Sequence, residues 1–223
     1  MTHRYAQVAF TDAVRRHQET HRSRSSYARM EQGPPEPDRL GPGELEFVAG
    51  RDSFYLASTG ETGWPYVQHR GGPRGFLQAL DPGTLAFADY RGNRQYITTG
   101  NLDHDDRVSL LLMDYPMQAR LKIYGRARAV DASEAGDLVA RLHPQEVRVP
   151  TERVIVIAVE AFDWNCRQHI LPRYSVEEVN EAVAPLRLRL EQLEQENAAL
   201  RARLEADPLL SPAPPSHPLP QER

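Results

Sequence analysis

The residues best suited to chemistry in this chain lie in a polar turn that follows a predicted strand. The segment TLAFADYRGNRQYITTGNL reads as a strand, a turn and a helix start, and the turn carries Arg91, Asn93, Arg94 and Gln95. Unpaired backbone N–H groups at a helix start and the forked donors of arginine both bind phosphate well. The turn therefore predicts an anion site, with phosphate as its ligand.

Two other strands could line such a site. PYVQHRGGPRGF runs into a glycine-rich turn, which lets the backbone approach a ligand closely. In RLKIYGRA the two-residue period of a strand places Arg120, Lys122 and Tyr124 on one face, and Leu121 and Ile123 on the other. Charged side chains that face inward are costly unless a polar ligand is bound there. The pattern also fits a polar face exposed to solvent, so these residues alone predict a β-barrel with a candidate anion site.

Other motifs with known chemistry are absent or incomplete. The sequence has no Walker phosphate loop and no G-x-G-x-x-G after a strand. His17 and His21 have the i, i+4 spacing of helical metal ligands but no third ligand, which favours an exposed polar face. The acidic run 103–106 (DHDD) could hold a hard cation, although a solvated loop explains it more simply. We therefore predict no metal site and no side-chain nucleophile.

Composition limits the class of protein. No apolar run among the 223 residues approaches the roughly 18 to 20 residues of a membrane-spanning helix, and the N-terminus lacks the apolar core of a secretory signal. The net charge of −4 argues against a nucleic-acid partner. A single cysteine, Cys166, cannot form an internal disulfide, so we expect a cytoplasmic location and a small buried side chain at this position.

Periodicity and turn residues divide the chain into four parts. Residues 1–44 read as a helix over 4–20 and an irregular connection. Residues 45–174 carry six short β-rich runs separated by glycine and proline turns, which favours an antiparallel barrel or sandwich over a βαβ fold. Short helices are expected near 93–100 and 133–142, the second with Asp131 or Ser133 as its N-cap. Residues 207–223 hold six prolines in 17 positions and are expected to be disordered.

Residues 175–206 show the heptad pattern of a coiled-coil-like helix. Its seam consists of Val179, Val183, Leu186, Leu190, Leu193, Asn197, Leu200 and Leu204, with Val183, Leu190, Asn197 and Leu204 at a positions and Leu186, Leu193 and Leu200 at d positions. Because proline is tolerated only in the first turn of a helix, the zipper is predicted to begin at Pro185, after a separate short helix capped by Ser175 and Glu178. We predict that this helix pairs across a homodimer; packing against its own barrel is the alternative.

Together these segments resemble the pyridoxamine 5′-phosphate oxidase-like flavoproteins, which share an FMN-binding split β-barrel. The resemblance covers roughly residues 10–173 and depends on RDSFYLAS, PYVQHRGGPRGF, LAFADYRGNRQYITTGNL, RVSLLLMDY, RLKIYGRARAV and WNCRQHILPR in this order. It implies a mainly β (α+β) fold, in which antiparallel strands form a split β-barrel with flanking helices. It also implies a homodimer with two FMN molecules at the subunit interface, each contacted from both chains.

The resemblance further implies a set of cofactor contacts. The matching positions are Val67, Gln68, His69 and Arg70 on one strand; Phe87, Ala88, Asp89 and Tyr90 on its neighbour; Asn93, Arg94 and Gln95 in the phosphate-binding turn; Arg120 near the flavin; and Trp164, Gln168, His169 and Arg173 in a segment that closes over the cofactor. Arg94 is the expected main phosphate anchor. Gln95 stands where the family usually has a lysine. The family's C-terminal Arg-Leu-x-x-Arg substrate motif has no clear counterpart, so the substrate stays open.

The predicted function is that of an FMN-dependent oxidoreductase with a small-molecule electron donor or acceptor, such as a nicotinamide nucleotide. Two alternatives stay open. A haem-binding or haem-degrading protein could use the same split barrel, with His69 or His169 as axial ligand. A non-catalytic flavin-binding protein would keep the barrel and use the C-terminal helix for assembly. The absorption spectrum of the purified protein distinguishes flavin, haem and neither.

Overall fold

An antiparallel sheet of seven strands forms the centre of the fold, in a computed structural model that describes residues 2–165 and 167–206. The strands are β1 (Ser53–Thr59), β2 (Pro65–Gly71), β3 (Gln78–Asp81), β4 (Thr84–Tyr90), β5 (Arg107–Asp114), β6 (Ala119–Asp131) and β7 (Thr151–Trp164). Their order across the sheet is β2-β1-β5-β6-β7-β4-β3, and each neighbouring pair is antiparallel. The predicted split-barrel fold and its six β-rich runs are confirmed, whereas β3 was not predicted.

Alternation along the strands separates the core from the outer face of the sheet. In β6, Leu121 and Ile123 are fully buried. Arg120, Lys122 and Tyr124 lie on the other face and are only partly buried, as predicted. Burying one such aliphatic side chain contributes roughly 1.5–3 kcal/mol, so the strand has one stable orientation.

The pairing of β6 with β7 shifts register between Tyr124 and Gly125, where β7 carries one extra residue, Glu160. A Cβ atom at Gly125 would lie 2.7 Å from Ile157 Cγ2 and 2.8 Å from the carbonyl oxygen of Ala158, so the close approach of the two strands requires glycine. A bulge of this kind bends a strand and increases its twist. The bend helps the sheet to curl towards closure.

The N-terminal segment forms two helices, α1 (His3–Ala9) and α2 (Asp12–Thr20), so the prediction of one helix over 4–20 is wrong. The hydroxyl of Thr11 accepts a hydrogen bond from the backbone N–H of Val14 at 3.4 Å, which caps α2 as a new helix. The apolar spacing continues across this break, and periodicity alone therefore did not show it.

The segment predicted to be an irregular connection also contains short helices. These are α3 (Arg24–Tyr27), a 3₁₀ turn (Ala28–Glu31) and α4 (Pro42–Ala49).

Helix α1 packs on the outer face of the sheet, where the Tyr5 ring stacks on Tyr124 with centroids 4.8 Å apart. Lys122 lies beside this pair and forms an ion pair with the buried Asp163 at 2.7 Å.

Two short helices lie between strands, near their predicted positions: α5 (Ile97–His104) and α6 (Gly136–Leu142). The predicted N-caps of α6 are wrong, because the helix starts after Ala135 and has no side-chain cap within the described residues. Asp131 contributes its backbone carbonyl, which accepts from the N–H groups of Glu134 and Ala135. A backbone turn thus takes the place of the expected side-chain cap.

Among the described residues, 173–206 form a second compact unit, separate from the unit of residues 2–172. Its helix α7 (Val176–Ala206) begins at the predicted capping box: Glu178 N–H donates to Ser175 Oγ at 3.1 Å, and Ser175 N–H donates to Glu178 Oε2 at 2.7 Å. The predicted break at Pro185 is wrong, since α7 is continuous through it. Proline removes one N–H donor from the helix. The other backbone hydrogen bonds of this 31-residue helix form cooperatively, and they keep it continuous despite the one that is missing.

Two predictions concern residues that the structure does not describe. The packing of Cys166 and the disorder of 207–223 both lie outside the described residues. Within the described part of the chain, no helix combines the length and apolar character needed to cross a membrane.

Candidate functional site

A narrow cleft opens between β2, the end of β4 and the start of α5, with a volume of about 70 Å³. Its lining contains seven of the residues predicted to bind the cofactor, namely Gln68, Arg70, Asp89, Tyr90, Asn93, Arg94 and Gln95. Gln68 and Arg70 come from β2, and the other five come from the end of β4 and the turn that follows it, about 20 residues further along the chain. The fold therefore brings these predicted residues together at one place.

The turn 91–96 has an unusual backbone. Arg94 and Tyr96 adopt left-handed conformations, with φ values of 61° and 55°, which non-glycine residues adopt rarely and often at functional sites. The side chain of Asn93 accepts a hydrogen bond from the Gln95 N–H at 3.3 Å, which supports the turn. Arg94 Nε donates to the hydroxyl of Tyr96 at 3.0 Å, and this bond raises the pKa of Arg94. The turn thus holds an exposed guanidinium at the rim of the cleft.

A buried carboxylate holds two further arginines in the cleft. Asp89 is 8% exposed and accepts hydrogen bonds from Arg70 at 2.6 Å and from Arg153 at 3.0 Å. Glu152 also contacts Arg153, at 3.2 Å. The lining of the cleft therefore contains three guanidinium groups, those of Arg70, Arg94 and Arg153, and two carboxylates, those of Asp89 and Glu152. Its net charge is +1. Such a lining attracts an anion.

Two buried polar atoms of the lining, Arg70 Nε and Tyr90 Oη, have no hydrogen-bond partner among the described residues. An unpaired buried donor costs about 1–3 kcal/mol, so a native structure that keeps one often uses it for a ligand. Burial raises the pKa of the Tyr90 hydroxyl, which therefore stays protonated at neutral pH and can donate. Both atoms suit a ligand rich in acceptor oxygens.

Helix α5 begins beside the cleft and is fixed to the neighbouring strands. Thr98 Oγ1 donates to Gln68 Oε1 on β2 at 2.8 Å, and Asn101 Nδ2 donates to Ser58 Oγ on β1 at 3.0 Å. No side chain of the described residues caps the helix at Tyr96. Uncapped N–H groups at a helix start favour an anion, which agrees with the charge of the lining.

A second cleft of about 150 Å³ adjoins the first and shares Arg70, Asp89 and Tyr90 with it. Its other walls include the predicted residues His69, Phe87 and Ala88. Phe87 is 1% exposed and packs edge-on against Phe54, with centroids 5.4 Å apart, so its ring belongs mainly to the core. The shared residues make the two clefts one continuous candidate site.

Other predicted contacts do not line these clefts. Val67 is 60% exposed and projects from the face of β2 opposite Gln68 and Arg70, because strand side chains alternate. Trp164 is hydrogen-bonded to α4, since its Nε1 donates to Glu44 Oε1 at 2.6 Å. Arg120 lies on β6, and its buried Nε has no partner among the described residues.

The remaining predicted residues lie near the end of the barrel unit or beyond it. Gln168 and His169 are exposed in a turn, in which His169 has a φ of 66°. Arg173 belongs to the second unit. Contact between the cofactor and these residues stays a prediction, as it does for Val67, Arg120 and Trp164.

Two residues that organise the cleft, Arg153 and Thr98, were not predicted from the sequence. Arg153 pairs with Asp89 in the register between β4 and β7, 64 residues away in the sequence, and Thr98 anchors the helix start. The β-rich run RVIVIAVEAF indicated a strand, but only the pairing of that strand with β4 shows that Arg153, the first residue of the run, faces Asp89. A register prediction between these two strands could have found Arg153.

A further cavity of about 460 Å³ lies between α1 and the outer face of β1, β5 and β6. Its three arginines each have a carboxylate partner: Arg4 pairs with Glu160, Arg107 with Asp105, and Arg126 with Asp106. In the smaller cleft, by contrast, no carboxylate among the described residues pairs with Arg94. For this reason we place the anion site in the smaller cleft.

The family model described as pyridoxamine 5′-phosphate oxidase matches residues 44–166, so the chain belongs to this family. No curated protein matches the chain.

Several solved structures are similar to this chain at low sequence identity. A candidate pyridoxamine 5′-phosphate oxidase from Lactobacillus delbrueckii is 20% identical, with a TM-score of 0.44 over 56% of this chain and 93% of its own. HupZ from Group A Streptococcus is 13% identical, with a TM-score of 0.44 over 60% and 100%. An FMN-binding protein from Syntrophomonas wolfei is 12% identical, with a TM-score of 0.42 over 66% and 97%.

Proposed function

We propose that this chain is an FMN-dependent oxidoreductase whose cleft around Arg70, Arg94 and Arg153 binds the flavin phosphate. The observation that supports this most strongly is the convergence of the three guanidinium groups with the uncapped start of α5. A phosphate dianion could accept hydrogen bonds from forked guanidinium donors and from helix N–H groups together. Membership of the pyridoxamine 5′-phosphate oxidase family supports a flavin as the source of that phosphate.

The residues of the cleft fit this ligand. Arg94 is exposed at the rim, where it can meet an incoming phosphate, and Asp89 keeps Arg70 and Arg153 oriented. The unpartnered donors Arg70 Nε and Tyr90 Oη would each gain an acceptor. When bound, FMN supplies two-electron redox chemistry between a small-molecule donor and acceptor, and the protein supplies position and electrostatic field.

We further propose that the site is completed by a second subunit of a homodimer. The two adjoining clefts measure about 70 and 150 Å³, whereas pockets that enclose a ligand of this size usually exceed about 300 Å³. The exposed Val67 and His69 on the outer face of β2 would then contact the flavin or the second subunit. A nicotinamide nucleotide is the electron donor that we would test first, in a cytoplasmic setting.

The proposal is tested by adding FMN to the cofactor-free chain while flavin fluorescence is followed, and then by anaerobic addition of NADH, NADPH or dithionite. We expect saturable binding and loss of the yellow absorbance on reduction, with recovery when oxygen is admitted. Binding without reduction by any nicotinamide nucleotide would favour the non-catalytic alternative. A chain that binds haem and not FMN would overturn the proposal.

A further inference from the structure

The apolar seam of α7 lies on one continuous helix, whereas the sequence predicted a zipper that begins only at Pro185. Because the helix is continuous through Pro185, the heptad register extends back to its first residue. The seam then consists of Val176, Val183, Leu190, Asn197 and Leu204 at a positions and of Val179, Leu186, Leu193 and Leu200 at d positions. No residue of α7 is buried, and seven of these nine side chains are 44–71% exposed. Such a continuous exposed apolar stripe marks an interaction surface.

Pro185 does not interrupt this surface. In the same register it occupies a c position, on the side of the helix away from the seam. The backbone hydrogen bond that proline removes is therefore missing on the side of α7 that faces away from the seam. The seam spans four heptads, on a helix roughly 46 Å long at 1.5 Å per residue.

The charges beside the seam fit a second copy of the same helix in parallel orientation. Parallel pairing brings each g position next to the following e position of the other helix. Arg189 would then meet Glu194 of the second copy, and Glu196 would meet Arg201 of the second copy, so both pairs are attractive. An antiparallel pair would place Asn197 opposite an apolar side chain, whereas a parallel pair in register lets the two asparagines hydrogen-bond to each other.

We propose that α7 forms a parallel, in-register, two-stranded coiled coil with α7 of a second copy of this chain. The partner is identified by charge complementarity and by the single polar a position. The inference concerns assembly alone, so it does not depend on whether the cleft binds FMN.

Disulfide trapping in the full chain tests this arrangement. Cys166→Ser removes the one native thiol, and cysteine is then introduced separately at Leu186 and Leu200, two d positions that are two heptads apart. In a parallel pair each d residue faces its own counterpart, within the roughly 4.4–6.8 Å Cα separation that a disulfide needs. Leu188→Cys is the matched control, since Leu188 lies at an outer f position of the same helix and is 59% exposed.

We expect both d-position variants to form a covalent dimer under mild oxidation and Leu188→Cys to form at least about tenfold less. A second pair of variants locates the interaction on the seam: adding Leu190→Glu to Leu200→Cys should slow its cross-linking at least about tenfold, whereas adding Leu188→Glu should not. Leu190 and Leu188 are matched, at 57% and 59% exposed. Equal trapping at Leu188 and Leu200, trapping at only one of the two d positions, or no trapping at either would overturn the proposal.

Discussion

The ion pair between Arg70 and Asp89, 2.6 Å long, joins two strands that are far apart in the order of the sheet. Arg70 lies on β2, the first strand in the sheet order, and Asp89 lies on β4, the sixth. Their contact shows that the sheet curls, which brings β2 and β4 close together. The two strands are joined there by side chains and not by backbone hydrogen bonds. The candidate phosphate cleft lies at this closure, and the same interaction therefore serves both the barrel and the site.

Removing the charge of Asp89 should destabilise the fold. In Asp89→Asn the guanidinium groups of Arg70 and Arg153 lose the carboxylate that they share in a buried setting, and breaking such a pair costs about 3–5 kcal/mol. We expect the free energy of unfolding in urea to fall by about this amount. Asp103→Asn, at an exposed position of α5, is the control and should change stability by less than about 0.5 kcal/mol. Equal stability of the two variants would contradict this role.

Arg94 should anchor the flavin phosphate. Arg94→Ala removes a charge-assisted donor, and we expect the FMN dissociation constant to rise roughly 10- to 100-fold. Arg91→Ala is the matched control, because Arg91 belongs to the same turn but does not line the cleft. Fluorescence titration of both variants measures the difference. If Arg94→Ala binds FMN as tightly as Arg91→Ala does, the phosphate lies elsewhere.

The position of Gln95 offers a gain-of-affinity test. The side chain lines the cleft at the position where the family resemblance implies a lysine, so Gln95→Lys adds a cation beside the proposed phosphate. We expect FMN to bind about tenfold more tightly at low salt, and this gain should shrink as ionic strength rises because the new charge is exposed. Gln95→Met, of similar length and neutral, should show no salt-dependent gain. A similar gain in both variants would indicate packing and not charge.

Stability should fall in alkaline solution through the stacked tyrosines. Burial is the main cause that raises the pKa of Tyr124 to about 12, above its ordinary value of about 10, and burial also raises the pKa of Tyr5. The folded state then holds a proton that the unfolded chain loses first. The stabilisation is complete below about pH 10 and is lost as the pH rises towards 12.

Urea unfolding at several pH values checks this expectation. Tyr124→Phe should flatten the decline in stability between about pH 10 and 12, because the variant lacks the group that titrates. Tyr27→Phe, which alters a tyrosine outside the stacked pair, should keep the wild-type decline. The same slope in all three proteins would show that other groups control the alkaline transition.

Local patterns in the sequence determined most of the secondary structure and part of the site. Runs of β-favouring residues between turns identified six strands, and alternation identified the buried face of β6, since burial of Leu121 and Ile123 depends only on a period of two. The capping box of α7 was also readable, because Ser175 and Glu178 interact within one turn. The polar turn with Arg94 was found for the same reason: its residues are neighbours in the sequence.

Tertiary structure decided which of these residues meet. Arg153 joins the cleft only because β7 pairs with β4 in a register that sets it against Asp89, and Arg70 joins only because the sheet closes. Neither contact leaves a local signal, since each depends on strand order across many residues. The continuity of α7 across Pro185 was also not predicted. The local effect of proline is the loss of one hydrogen bond, whereas the stability of the helix depends on the cooperative turns on both sides of it.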